Sequence, residues 1–178
     1  GETIVVTLDK EDVLRVAPWT AGIYEGFENI YISQSGVGTG VSCADSRSAS
    51  WFNTLANWGS GANKISAGDT VHLCGTLTTQ LVVKATGPVG NITTIVWESG
   101  AILSQSFCPL TGCINITNMS YITLDGGTNG IIEGTDNGDG LGNFQNSAGV
   151  YCINSDHIII KNLTIRNIFV HQTTSIIR

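Results

Sequence analysis

The segment His157-Ile-Ile-Ile-Lys-Asn-Leu-Thr-Ile-Arg-Asn167 decides how this chain is read. Its Ile, Leu and Thr side chains suit a pleated, half-buried surface. Asn162 interrupts the run, and Asn tolerates left-handed backbone angles that β-branched residues avoid. The segment therefore reads as a strand ending at Lys161, a corner at Asn162 and a second strand at Leu163–Ile165. An Asn at a corner can also bond to the same corner of the adjacent layer. Tyr121-Ile-Thr-Leu-Asp-Gly-Gly127 reads as the corresponding turn one layer earlier.

Working outward, similar short runs recur at Thr70–Cys74, Thr93–Trp97, Cys113–Thr117, Tyr121–Leu124, Gly130–Glu133 and Val150–Ile153. Gly, Asn and Ser corners separate them. The runs beginning at 70, 93, 121 and 157 suggest layers of about two dozen residues, lengthened by an insertion at 134–149. The predicted fold is all-β: a right-handed parallel β-helix, or solenoid, with an N-terminal strand and a short capping helix. A sandwich or jelly roll of hairpins is the plainer alternative. Residues 1–64 form the N-terminal strand segment and cap, and 65–178 the β-helix coils, within one structural domain.

Upstream, residues 2–8 read as a strand, Asp9–Val16 as a charged turn or short helix, and Ile30–Ser33 as a strand. Gly36–Gly40 reads as a Gly-rich loop and Gly59–Ala67 as a polar one. A helix is predicted over about Ser48–Trp58, because Trp51, Leu55 and Trp58 recur at helical spacing. Ser46 or Ser48 can cap its start and Gly59 its end. Trp51 and Trp58 would then cover the open end of the stack, since a solenoid must cap or pair its terminal edges.

The chain has 178 residues, a net charge of −6 and only 12% charged residues. Soluble domains average about 25%, so hydroxyls and amides must supply solubility. Lys and Arg total 8 and are scattered, which argues against nucleic acid as a partner. An acidic surface does not attract anionic lipid, and no apolar run is long enough to span a bilayer. The chain begins with Gly and reads as a mature or trimmed form. Cys108 and Cys113 flank Pro109-Leu-Thr-Gly112, a turn that could join them, and Cys43 with Cys74 is the next candidate pair. Cys152, in an apolar run, reads as a buried thiol. Disulfides imply a secreted or cell-surface location. Sequons at Asn91, Asn115, Asn118 and Asn162 are candidate glycosylation sites, at a count near chance for this composition.

Ile158–Ile165 resembles the coil that pectate lyases carry before their active site. Ala67-Gly-Asp-Thr-Val-His-Leu-Cys-Gly-Thr76 is similar to the first coil of polysaccharide-acting β-helix proteins, and Ile122-Thr-Leu-Asp-Gly-Gly127 to their Asp-Gly turn. The resemblance covers about residues 65–170 and implies the fold more firmly than a reaction. Lyase chemistry of that kind needs calcium held by carboxylates and an Arg or Lys base. In the family these groups mostly lie on coils after the one matching 157–167, so no catalytic residue is assigned. A pair of Asp on one strand, as β-helix glycosidases use, is not found.

Several residues remain as candidates. Lys161, Arg166 and Trp97 are assigned to carbohydrate binding, with solvated strand-face charge as the plainer reading of the two cations. Trp19, Tyr24, Trp51 and Trp58 are further potential sugar platforms. Asp136 and Asp139, in Asp136-Asn-Gly-Asp-Gly140, are assigned to calcium, although the loop lacks EF-hand spacing and an Asp/Gly turn is plainer. Asp125 and Glu133 read as corner residues, and His72, His157 and His171 as isolated. No cofactor is required. The expected function is an extracellular structural subunit that associates with copies of itself, end to end or by strand addition. The alternatives are the N-terminal part of a lyase or hydrolase of acidic polysaccharides, and a non-catalytic carbohydrate-binding β-helix.

Overall fold

The computed structural model describes residues 29–61, 63–87 and 89–169, together with two strands, β1 (Thr7–Leu8) and β2 (Leu14–Arg15). These two pair antiparallel, Thr7 opposite Arg15, so a strand stands where a charged turn or helix was predicted. The rest of the predicted strand 2–8, together with Trp19, Tyr24 and His171, lies outside the described residues.

The main body runs β3 (Asn29–Ser33), β4 (Ser35–Ser42), β5 (Asp45–Ser48), α1 (Ala49–Phe52), β6 (Thr70–Leu73), β7 (Thr76–Leu77), β8 (Leu81–Val82), β9 (Thr93–Trp97), β10 (Ile102–Gln105), β11 (Ile114–Asn115), β12 (Ser120–Gly134), β13 (Val150–Tyr151) and β14 (Asp156–Arg166). Apart from β1–β2 and β4–β5, every named pairing is parallel. A sandwich of hairpins would instead be antiparallel. The protein is thus all-β with little helix, and its strands form three parallel ladders. The first is β3-β6-β9-β12-β14, the second β7-β10-β12-β14 and the third β8-β11-β13.

Register sets the core. Within each strand alternate side chains face opposite ways. Ile30, Val71, Ile95 and Leu124 stand opposite one another through four strands, and all are buried. Ile32, Leu73 and Trp97 form the adjacent column. Leu77, Leu103 and Ile132 do the same in the second ladder, and Leu81 meets Ile114 in the third. Each fully buried Leu or Ile contributes about 1.5–3 kcal/mol by leaving water.

The four predicted strand starts at 70, 93, 121 and 157 do fall on successive neighbours in one ladder. β12 and β14 each run unbroken where two strands were expected. Both corners are still present: Gly127 has φ +57° and Asn162 has φ +56°, and the register slips between Asp125 and Gly130. Gly126 is required there, because a Cβ on it would collide with the Asn162 carbonyl of β14. The short strands β7, β8 and β10 escaped the sequence reading, because two to four residues carry too little alternation.

Two further expectations are corrected. Gly36–Gly40 is not a loop but lies within β4, paired antiparallel to β5. The predicted helix Ser48–Trp58 is only α1 plus a 3₁₀ turn at Leu55–Asn57. Ser48 Oγ caps it by accepting from Trp51 N–H at 3.0 Å, as read. Leu55 is 66% exposed, so helical spacing did not mark one buried face. Trp58 instead folds back edge-on to Phe52 and donates its indole N–H to the Phe52 carbonyl.

Candidate functional site

β14 lies at the edge of the first ladder, and among the described residues only β12 pairs with it. Ile160 stands opposite Leu124 and Ile165 opposite Ile132. Those partners are fully buried, yet Ile160 is 45% exposed and Ile165 44%. Ile159 is 47% exposed beside them. The buried columns therefore surface at β14, together with a row of backbone groups on its outer edge that β12 does not engage.

Polar pins hold β14 against β12. Asn162 Nδ2 donates to Asp125 Oδ1 at 2.8 Å, Lys161 Nζ lies 3.1 Å from Asp125 Oδ2, and Gly127 N–H donates to Asp125 at 3.0 Å. The Asn162 amide first, then the Gly127 N–H and Lys161, hold the Asp125 carboxyl down at about 2. Arg166 Nε meets Glu133 Oε2 at 2.6 Å, and Ser104 Oγ donates to Glu133 Oε1. The ring of Tyr121 stacks on His157, 4.5 Å between centroids, and His157 Nδ1 lies 3.0 Å from Asp156. Hydrogen bonds from Ser120 and His157 lower the Asp156 carboxyl. At another corner, Asn154 Nδ2 donates to Asn118 Oδ1, and both residues have positive φ.

The structure redistributes the predicted site residues. Lys161 and Arg166 are partners in ion pairs between strands. Trp97 is only 7% exposed and stands in an inner column, so it offers no face to a sugar. Asp136 closes its own loop by accepting from Gly142 N–H at 2.9 Å, while Asp139 is exposed in the turn. Asn137 holds that loop from inside, exchanging hydrogen bonds with Gln145. No three His, Cys, Asp or Glu residues converge on a common point among the described residues. Both predicted disulfides are present: Cys43–Cys74, Cα atoms 5.6 Å apart, and Cys108–Cys113 at 4.7 Å. Cys152 is a free and exposed thiol, not a buried one: it follows β13, the terminal strand of the third ladder among the described residues. Among the sequons, Asn91 and Asn118 are exposed, Asn115 is half-buried in β11, and Asn162 is exposed but already bonded to Asp125.

Sequence reading missed a second polar group. His72 stacks on Tyr31 at 4.4 Å, its Nδ1 lies 2.6 Å from Glu98 and its Nε2 2.9 Å from Asn29 Oδ1. The alternation Thr-Val-His-Leu did place His72 outward, but its partners are 26 and 43 residues away. No family model, curated protein or solved structure matches this chain.

Proposed function

We propose that the chain is a right-handed parallel β-helix of the pectate-lyase-like kind, secreted and non-catalytic, that extends its ladders onto a further copy of itself through β14. Parallel crossovers in one sheet are right-handed in about 98% of cases, which supports the hand. Two disulfides favour an oxidising compartment. The observation that carries the reading is the surfacing of Ile160 and Ile165 from columns buried everywhere below them.

The other end of the same sheet is β4, whose Val37 is fully exposed and Val41 70% exposed. It carries no charged residue and no Pro, the usual devices that blunt an edge. Among the described residues β4 and β14 are unlike terminal strands of that sheet, and pairing one with the other gives a head-to-tail contact that repeats without closing. Lys161 and Arg166 support the structural reading, since their charges are met by Asp125 and Glu133 and not held out for a uronate.

Sedimentation velocity across a concentration series tests it. The wild-type chain should grow into larger species, and Ile160→Lys with Ile165→Lys should remain monomeric with the same circular dichroism. A wild-type chain that stays monomeric throughout would overturn the proposal.

A further inference from the structure

β7 is the first strand of the second ladder and β8 the first of the third. Among the described residues each pairs with one other strand, β7 with β10 and β8 with β11. A short strand with a free side is a template for strand addition. In both strands that side is met by a side-chain amide. Leu81 and Val83 send their N–H groups toward β11, to the Cys113 and Asn115 carbonyls. The groups that point the other way, the Gln80 carbonyl and the Val82 N–H, both meet Asn53. Asn53 Nδ2 donates to Gln80 at 2.7 Å, and its Oδ1 accepts from Val82 at 2.8 Å. One side chain thus gives β8 the donor and the acceptor that a neighbouring peptide group would give.

Gln34 does the same just past β7. Its Oε1 accepts from the Thr78 N–H at 2.7 Å, and its Nε2 donates to the Thr79 hydroxyl at 2.8 Å. The fold sets both amides in place from far off in sequence. Gln34 is the residue between β3 and β4, and its partners lie 44 and 45 residues away. Asn53 closes α1 by donating its own N–H to the Ala49 carbonyl at 3.0 Å, and it follows the fully buried Phe52. A side-chain amide takes up the outward backbone groups and offers no further strand, so a ladder that ends on one cannot be continued there. The amides beside β13 and β14 are used differently: Asn154 and Asn162 turn back to Asn118 and Asp125.

We infer that Asn53 and Gln34 are edge stoppers, which close β8 and β7 to strand addition by a second copy and leave β4 as the strand on this side that a copy can join. The stopping role stands by itself, whereas the choice of β4 rests on the self-association reading. Without the two amides, the Gln80 carbonyl and the N–H groups of Val82 and Thr78 lose their partners. The same edge on another copy would supply new ones, the two edges pairing about a two-fold axis. Removing the stoppers should therefore add a contact that does not use β14.

The test is sedimentation velocity on the full chain across a concentration series, with β14 blocked by Ile160→Lys and Ile165→Lys. Adding Gln34→Ala and Asn53→Ala to that blocked chain should restore association, with a dissociation constant at least about tenfold below that of the blocked chain alone. Thr86→Val serves as the control in the same background. It also removes two hydrogen bonds from a side chain to backbone, those of Thr86 Oγ1 with Ser120, and should leave the chain monomeric. Circular dichroism checks the fold of each variant. If the double alanine change unfolds the chain, Asn53→Asp decides, since it keeps the acceptor for Val82 but sets an oxygen against the Gln80 carbonyl. A folded stopper variant that stays monomeric, or equal association in Thr86→Val, would overturn the stopping role. A wild-type chain that stays monomeric while the stopper variant associates would overturn only the choice of β4.

Discussion

Asn162 Nδ2 reaches back from β14 to Asp125 Oδ1 on β12 at 2.8 Å, so that one corner of the chain is bonded to the corner beneath it. Asn162 occupies the left-handed region at φ +56°, and the carboxylate it meets titrates near 2. Replacing Asn162 with Gly keeps the backbone angle and deletes only the amide. In Asn162→Gly the Asp125 carboxyl should rise toward its ordinary value in an NMR titration, with the fold retained. A carboxyl still near 2 would show that Lys161 and Gly127 suffice.

Acid should loosen the ladder within a defined window. Asp125, Asp156 and Asp45 are all lowered in the folded chain, Asp45 chiefly by the Thr39 hydroxyl. A carboxyl whose folded pKa lies below its unfolded value of about 3.9 stabilises the fold above that value. The contribution fades as pH falls toward the folded pKa. Thermal melts should therefore show this contribution constant from neutrality to about pH 4 and lost between about pH 4 and about 2, the value held by Asp125. A loss already complete at pH 5 would assign the acid sensitivity to other groups.

The two disulfides should differ in worth. Cys43–Cys74 closes a separation of 31 residues and Cys108–Cys113 one of 5. Loop-closure entropy gives about 3.7 kcal/mol for the longer and about 2 kcal/mol for the shorter. Urea unfolding of Cys43→Ser with Cys74→Ser, against Cys108→Ser with Cys113→Ser, should show the greater loss in the first. Equal losses would mean that the β4–β5 hairpin is not tied down by its staple.

Paired residues in one column should respond unequally. Leu124→Ala removes a fully buried side chain and should cost about 2–5 kcal/mol. Ile160→Ala, one strand further on and 45% exposed, should cost about 1 kcal/mol in dilute solution. The cost at Ile160 should rise with protein concentration if a second copy covers it, as chemical unfolding at several concentrations would reveal.

Trp97 provides a check on the inner column. Among the described residues its indole N–H is buried without a partner, so Trp97→Phe should leave stability within about 1–2 kcal/mol of wild type in urea unfolding. A loss of about 3 kcal/mol or more would show that the indole N–H does hold a partner.

The order of strands in the parallel ladder was legible because its signals are local. Asn162 and Gly127 mark corners by backbone preference, and Thr93–Trp97 marks a strand by alternation. Both disulfides followed from a turn and from simple pairing. What failed was information carried by distance. Trp97 looked like a platform because sequence does not reveal that its column is Ile32 and Leu73. Lys161 and Arg166 looked free because Asp125 and Glu133 lie on the neighbouring strand, far off in sequence: Glu133 is 33 residues from Arg166. The glycines of β4 read as a loop because flexibility in sequence and close approach in space use the same residue: at Gly36 and Gly38 a Cβ would strike Ser46 and Asp45.

Hydrogen exchange along β14, measured at rising protein concentration, tests self-association most directly. If another copy pairs with this edge, the outward amides between Ile158 and Arg166 should exchange progressively more slowly as concentration increases, while those of β9 stay unchanged. Exchange in β14 that is independent of concentration, whether fast or already protected, would contradict pairing with a second copy.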